Sequence, residues 1–199
     1  MPELRLATRS DAAGIAEIYG PIVASTPISF ETEPPGEREM EHRIEETLPA
    51  YPWLVCEHRG RIAGYAYAGR HRHRAAYQWS VETSVYIHAD FRRRGIGRGL
   101  YASLFQILAA QGYFSAFAGM TLPNPGSAGL HEAAGFQPVG VYRHVGYKLG
   151  VWYDVGWWHR ELQPLMAEPP APRSLPDLRA EPSWQQLVTA GLPFLRMED

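Results

Sequence analysis

The chain has 199 residues, 45% hydrophobic and 20% charged, with a formal charge of −2. That balance describes one globular domain with a substantial core, excludes general nucleic-acid affinity, and holds no apolar stretch near the ~20 residues of a membrane helix. A single cysteine, Cys56, can form no internal disulfide, and the N-terminus lacks a basic-then-apolar leader, so the expected location is the cytoplasm. Residues 4–8 alternate as a first strand. Ser10 or Asp11 then caps a helix carrying Ile15, Ile18 and Tyr19, which Pro21 helps to end. Residues 25–35 are too proline-rich for regular structure; they read either as a plain connector or as a pocket wall, with Phe30 as a buried aromatic beside Glu31 and Glu33. A charged helix is predicted over about 36–48, then strands 53–57 and 62–68 joined as a hairpin, and a strand 77–87. After a glycine turn comes a helix, then a strand over 114–121, a short helix ending near Gly135, and two aromatic-rich strands, 137–145 and 151–162, with 146–150 between them. This order predicts a mixed α/β sheet. Residues 164–182 hold six prolines and read as an extended linker; Ser183 has capping-box spacing for a last helix that Gly191 stops, docked on the body or on a partner.

The stretch 84–108 has the order strand, basic glycine turn, helix. Val85 and Ile87 share one strand face, while Leu100, Leu104, Ile107 and Leu108 make one apolar helix face that must lie on the sheet. Between them stand Arg92, Arg93, Arg94, Gly95, Ile96, Gly97, Arg98 and Gly99. Glycines leave backbone N–H groups uncovered, the helix N-terminus carries partial positive charge, and the arginines favour a polyanion such as a pyrophosphate. The spacing meets neither the Walker loop nor the dinucleotide fingerprint. It matches Arg-x-x-Gly-x-Gly, and the alternative is a glycine-rich turn with solvated arginines.

Arg70, His71, Arg72, His73 and Arg74 form a second basic run. If extended, it sets its arginines on one side as a clamp for a carboxylate or phosphonate; a solvated loop is the plain alternative. A metal site at His71 and His73 lacks a third ligand at a recognisable spacing. Glu82 lies in mid-strand among apolar and hydroxylated neighbours, a candidate general base, or else a residue of the solvated face.

The Arg-x-x-Gly-x-Gly turn resembles the acetyl-CoA motif of the GNAT N-acetyltransferases. Residues 1–163 are similar to the phosphinothricin/methionine sulfoximine N-acetyltransferase branch in five ordered blocks: 29–35, 81–87, 93–97, 122–124 with 130–136, and 146–156. The resemblance implies the GNAT fold, a mixed and mostly antiparallel sheet flanked by helices, over 1–163, with 164–199 as linker and tail outside it. It also implies acetyl-CoA as co-substrate and no metal, a small amino-acid-like amine as acceptor, and commonly a homodimer. By the same resemblance Val85, Tyr86, Ile87, Arg93, Arg94, Gly95, Ile96, Gly97, Arg98 and Asn124 bind acetyl-CoA. Glu82 takes the amine proton through water, and Phe30, Arg72, Arg74 and Ala76 hold the substrate. His131 stands where many GNAT enzymes have a tyrosine general acid, and is read either as that acid or as a structural residue. His71 occupies a place often filled by tryptophan, and Leu149 one where phosphinothricin-detoxifying members tend to have histidine. Acetylation of a protein N-terminus, a lysine or another metabolite amine, and a catalytically silent acetyl-CoA-binding module, are the competing functions.

Overall fold

A computed structural model describes residues 1–197. One sheet runs in the order β1-β2-β3-β4-β5-β7-β6, with β1 (Glu3–Leu6), β2 (Trp53–His58), β3 (Arg61–Arg70), β4 (Ser80–Ile87), β5 (Ser115–Leu122), β6 (Gln137–Lys148) and β7 (Val151–Glu161). Neighbours are antiparallel except β4 and β5. A parallel pair needs a crossover, which α3 (Ile96–Gln111) provides. The expected mixed, mostly antiparallel α/β fold is what forms.

Side-chain alternation sorts the two faces of the sheet. Trp53, Val55 and Tyr65 meet Ile15 and Ile18 of α1 (Ala12–Ser25) and Met40 and Ile44 of α2 (Glu37–Thr47). On the other face small residues, Ala66, Ala68, Ala116 and Ala118, let α3 lie close. Its Leu100, Leu104, Ile107 and Leu108 are fully buried, as their spacing predicts, each contributing about 2 kcal/mol of apolar transfer. The short helix α4 (Pro125–Ala133) follows β5 and touches α3.

Several boundaries depart from expectation. Pro21 does not end α1, which continues to Ser25; the ring lies on the exposed side, where water can reach the Glu17 carbonyl that it leaves unbonded. The turn between the last two strands is only Leu149-Gly150, at φ 52° and 79°, a two-residue hairpin rather than a five-residue connection. The predicted strand start at 77 is a 3-10 turn, Ala75–Tyr77.

The proline-rich segment is tied down along the body. Trp79 Nε1 donates to the Pro170 carbonyl at 2.8 Å and Arg173 N to that of Gln111 at 2.8 Å. Leu175 and Leu178 of α5 (Leu175–Arg179) are buried, and α6 (Trp184–Thr189) packs on α3 and β1. Ser183 does not form the predicted capping box: it is already helical, at φ −72° and ψ −15°, and its Oγ turns to Glu181.

Candidate active site

β4 and β5 pair only at Ser80–Ser115, Val81–Ala116 and Glu82–Phe117. Beyond that rung β4 continues to Ile87 and β5 to Leu122 without pairing to each other, so the sheet splits into a V. Val85, Tyr86 and Ile87 lie on the open edge of β4, about 17 Å of strand from Glu82 to Ile87 at ~3.4 Å per residue. Buried backbone edges require partners, so an elongated ligand with amide groups suits this gap.

At the open end of β4 stands the basic turn. Gly95 has φ 79° and Arg93 φ 64°, both left-handed, and α3 begins at Ile96. The N–H groups of Ile96, Gly97 and Arg98 form the first turn, where no intrahelical acceptor exists. Arg93, Arg94 and Arg98 are exposed around them, with Arg94 5.6 Å over the Phe91 ring and Arg98 5.0 Å over that of Phe194. Free amides, a helix N-terminus and three cations fit a pyrophosphate. Gly97 faces α4, where an added β-carbon would lie 2.8 Å from a methyl of Leu130.

Glu82 marks the closed end of the V. It shares the α1/α2 side of the sheet with Tyr67 and Phe117, opposite Gly69 in the register. His71 stacks flat on Phe117, with centroids 4.3 Å apart, and its Nδ1 lies 4.0 Å from Glu82 Oε2. That Nδ1 and the indole Nε1 of Trp157 are buried with no hydrogen-bond partner among the described residues. Arg72 donates to the His71 carbonyl at 2.9 Å and lies 5.5 Å over Trp157. Burial raises the Glu82 pKa above its ordinary 4.5, against the pull of Arg72, and burial together with Arg72 lowers that of His71 below 6.5. A carboxylate made more basic beside an imidazole made less basic is an arrangement able to accept a proton. A cavity of about 320 Å³ includes Gly69, Tyr67, Tyr65, Tyr19, Arg43 and Arg70 in its wall.

The other candidate residues divide. The run 70–74 does not extend: β3 ends at Arg70 and the chain bends, so the row of three arginines does not form. Arg70 faces the cavity, Arg72 faces Trp157, and Arg74 and Ala76 stand exposed at the 3-10 turn. Phe30 is not buried; it is 38% exposed, its ring against Gly146 of β6. Glu31 connects that loop to the cavity wall through Arg43, at 2.8 and 3.0 Å, and Tyr19, at 2.8 Å. Asn124 caps α4, its Oδ1 accepting from Ser127 N at 3.1 Å. His131 is buried between α4 and α3. Its Nδ1 lies 2.8 Å from the Ser127 carbonyl and its Nε2 2.7 Å from Tyr101 OH, so a proton on Nδ1 leaves Nε2 to accept from Tyr101. Burial lowers its pKa. No sequence pattern marks Phe117, Trp157 and Tyr101, since only strand register and helix packing bring them here.

A sheet split at its parallel pair, with a basic glycine turn opening a helix at one end of the gap and a half-buried carboxylate at the other, is the architecture of an N-acetyltransferase. Residues 4–157 match the family model described as an acetyltransferase (GNAT) domain, and the chain belongs to that family. It is 41% identical over 170 residues to a phosphinothricin N-acetyltransferase of Streptomyces viridochromogenes, covering 85% of this chain and 92% of that protein. It is 32% identical over 161 residues to the L-methionine sulfoximine/L-methionine sulfone acetyltransferase of Salmonella typhimurium, covering 80% and 94%. Among solved structures it resembles a phosphinothricin acetyltransferase from Sinorhizobium meliloti in complex with acetyl-CoA, with a TM-score of 0.76 and 35% identity, covering 80% of this chain and 88% of that one.

Proposed function

We propose that this chain acetylates the α-amine of a small amino acid of the methionine sulfone, methionine sulfoximine or phosphinothricin type, by direct transfer from acetyl-CoA. The observation that carries this reading is the position of Glu82 on the last rung before β4 and β5 part, where a thioester laid along the gap meets an amine entering beside His71. Acetyl-CoA, when bound, supplies the acetyl group. Val85, Tyr86 and Ile87 offer a strand edge to it, and residues 93–98 offer amides and cations to its pyrophosphate. Glu82 accepts the proton that the ammonium must lose before nitrogen can form the C–N bond; the C–S bond breaks, and the second proton that nitrogen sheds on acylation goes to the departing thiolate, which leaves as the thiol. His131, read either as proton donor to that thiolate or as a structural residue, is assigned to fixing Tyr101, because both its nitrogens are engaged and burial lowers its pKa.

Arg72 supports a polar amino acid as acceptor, since it is exposed beside the pocket and its guanidinium carries donors beyond the one on the His71 carbonyl with which to hold a carboxylate or tetrahedral group. Arg72→Ala is expected to raise the amino-acid KM about tenfold, the scale of one charge-assisted hydrogen bond, with acetyl-CoA affinity held. Removing this cation also moves the acid limb of the kcat/KM profile to higher pH, because Arg72 opposes the rise in the Glu82 pKa. Steady-state kinetics across pH check both effects, and equal damage to both substrates would indicate misfolding instead. Arg74 and Ala76 belong to the rim of the same entrance in this reading, and Phe30 to its far wall.

The decisive assay is thiol release from acetyl-CoA across a panel of amino acids that includes methionine sulfone, methionine sulfoximine and phosphinothricin. Turnover with at least one is expected. No turnover with any, combined with turnover on a peptide N-terminus or lysine, transfers the function to those acceptors, and binding without any turnover makes the chain a silent acetyl-CoA module.

A homodimer completes the proposal. The β6–β7 hairpin exposes Val141, Tyr147 and Trp152 on one side and Tyr142 and Val151 on the other, apolar surface that a second copy can cover. Its tip is anchored by Lys148, whose ammonium donates to the Val23 and Ser29 carbonyls at 2.6 and 2.7 Å. Trp152→Glu is expected to shift the sedimentation coefficient from dimer to monomer; a monomeric wild-type chain refutes the pairing. The proposed compartment is the cytoplasm, consistent with a buried Cys56 thiol whose pKa is pushed up to about 12 by burial.

A further inference from the structure

We propose that residues 191–196, beyond the family match, brace the anion-binding turn and belong to the donor-binding apparatus. The inference rests on acetyl-CoA being the donor, and its structural half is tested without it.

The turn holds two residues in the left-handed region, Arg93 and Gly95, with Arg94 between them. A residue with a β-carbon adopts that conformation only at a cost, so the surroundings must hold it. The tail supplies the hold. Arg196 N donates to the Arg94 carbonyl at 2.9 Å, between the two left-handed residues. The Phe194 carbonyl occupies the space where a β-carbon on Gly95 would stand, and the Gly191 and Gly99 backbones meet so closely that neither position admits a side chain. Ser103, fully buried one turn further along α3, fastens the segment: its Oγ donates to the Val188 carbonyl at 2.6 Å and accepts from Gly191 N at 3.0 Å. The Phe194 ring receives the guanidinium of Arg98 at 5.0 Å, which fixes one of the turn's cations.

The flank on which the tail lies decides between a brace and a plug. Gly95, Gly99 and Ser103 are spaced i, i+4 and i+8, one stripe of α3. Gly97 and Tyr101, which meet Leu130 and His131 of α4, form another stripe about 200° around the helix, at ~100° per residue. The tail therefore seats on the flank away from α4 and the opening of the V. A polypeptide placed there keeps clear of the α4 side of the first turn while fixing the direction of its amides.

Two full-length variants isolate the contact. Arg196→Ala and Arg196→Pro remove the same charge, but only proline removes the N–H that reaches Arg94. Leu195, at φ −74° and ψ 130°, already has the conformation that a following proline requires. Calorimetry with acetyl-CoA is expected to give a Kd roughly fivefold to tenfold higher for Arg196→Pro than for Arg196→Ala, the scale of one hydrogen bond, with amino-acid KM equal in the two. Hydrogen exchange in the unliganded proteins is expected to be faster across residues 93–98 in the proline variant. Equal exchange overturns the brace, and faster exchange with an unchanged Kd overturns its part in donor binding. Should the wild-type chain bind no acetyl-CoA, the donor reading fails by itself and the exchange comparison alone decides the brace.

Discussion

Glu82→Gln is expected to lower kcat about a hundredfold or more at neutral pH, the scale of losing a general base, while acetyl-CoA affinity stays near wild type. Glutamine keeps the shape and the hydrogen-bonding oxygen but cannot take a proton. The deficit should shrink as pH rises, because solvent then supplies free amine. The same substitution acts on stability with a definite sign. Burial raises the Glu82 pKa above its ordinary 4.5, so the folded chain holds this proton more tightly than the unfolded one. The stability tied to that proton is complete below the unfolded pKa and is lost as pH rises through the folded pKa. Glutamine escapes the loss, so the variant should melt at or above the wild-type temperature near pH 7, and its advantage should vanish on acidification below 4.5. Kinetics and melts across pH check the pair of effects. Wild-type kcat in the variant at neutral pH would move the proton acceptor elsewhere.

Gly97→Val is expected to weaken acetyl-CoA binding between tenfold and a hundredfold. The sequence suggests that a side chain here would collide with the phosphate; the structure gives a different collision. A β-carbon at Gly97 points at α4, 2.8 and 3.1 Å from the two methyls of Leu130, and valine adds two further methyls. Overpacking of this kind costs about 1–3 kcal/mol, and the nearest relief is separation of α3 from α4 at the first-turn amides. Gly129→Ala is the control: its β-carbon meets nothing within 4 Å, so it should bind normally. Unchanged affinity in a folded Gly97→Val protein removes the pyrophosphate from this turn.

The elements were legible wherever periodicity was strong. The four apolar positions of α3, the charged α2 and the β2–β3 hairpin stand where their patterns put them, because burial on one face dictates both period and contact. Local rules failed where tertiary contacts prevailed. Pro21 is tolerated because its helix face is open to water, and Ser183 gives up its capping role because Glu181 takes its hydroxyl. The proline-rich tail reads as linker because composition cannot reveal that Leu175 and Leu178 find a surface on the body. In the site, Glu82 and the glycine turn carried their own signal, an acid in mid-strand and a spacing of arginine with glycines. Phe117, Trp157 and the flat stack on His71 carried none, since they come together only through the register of β4 on β5 and of β5 on β7. The arginine row of 70–74 failed because the strand ends one residue in, which turns His71 onto Phe117 and Arg72 toward Trp157.

The three rungs that join β4 to β5 have a consequence for how such a chain can change. Glu82 occupies the last of them, so one pairing register fixes both the floor of the gap and the height of the carboxylate above it. Sliding β4 by two residues, the smallest shift that keeps its faces, would lengthen or shorten the gap by about 7 Å and carry Glu82 with it. With Glu82 as the proposed base, donor length and base position become one variable, and a chain selected for a longer acyl group must find its room by carving side chains at the floor, with the strands left where they are.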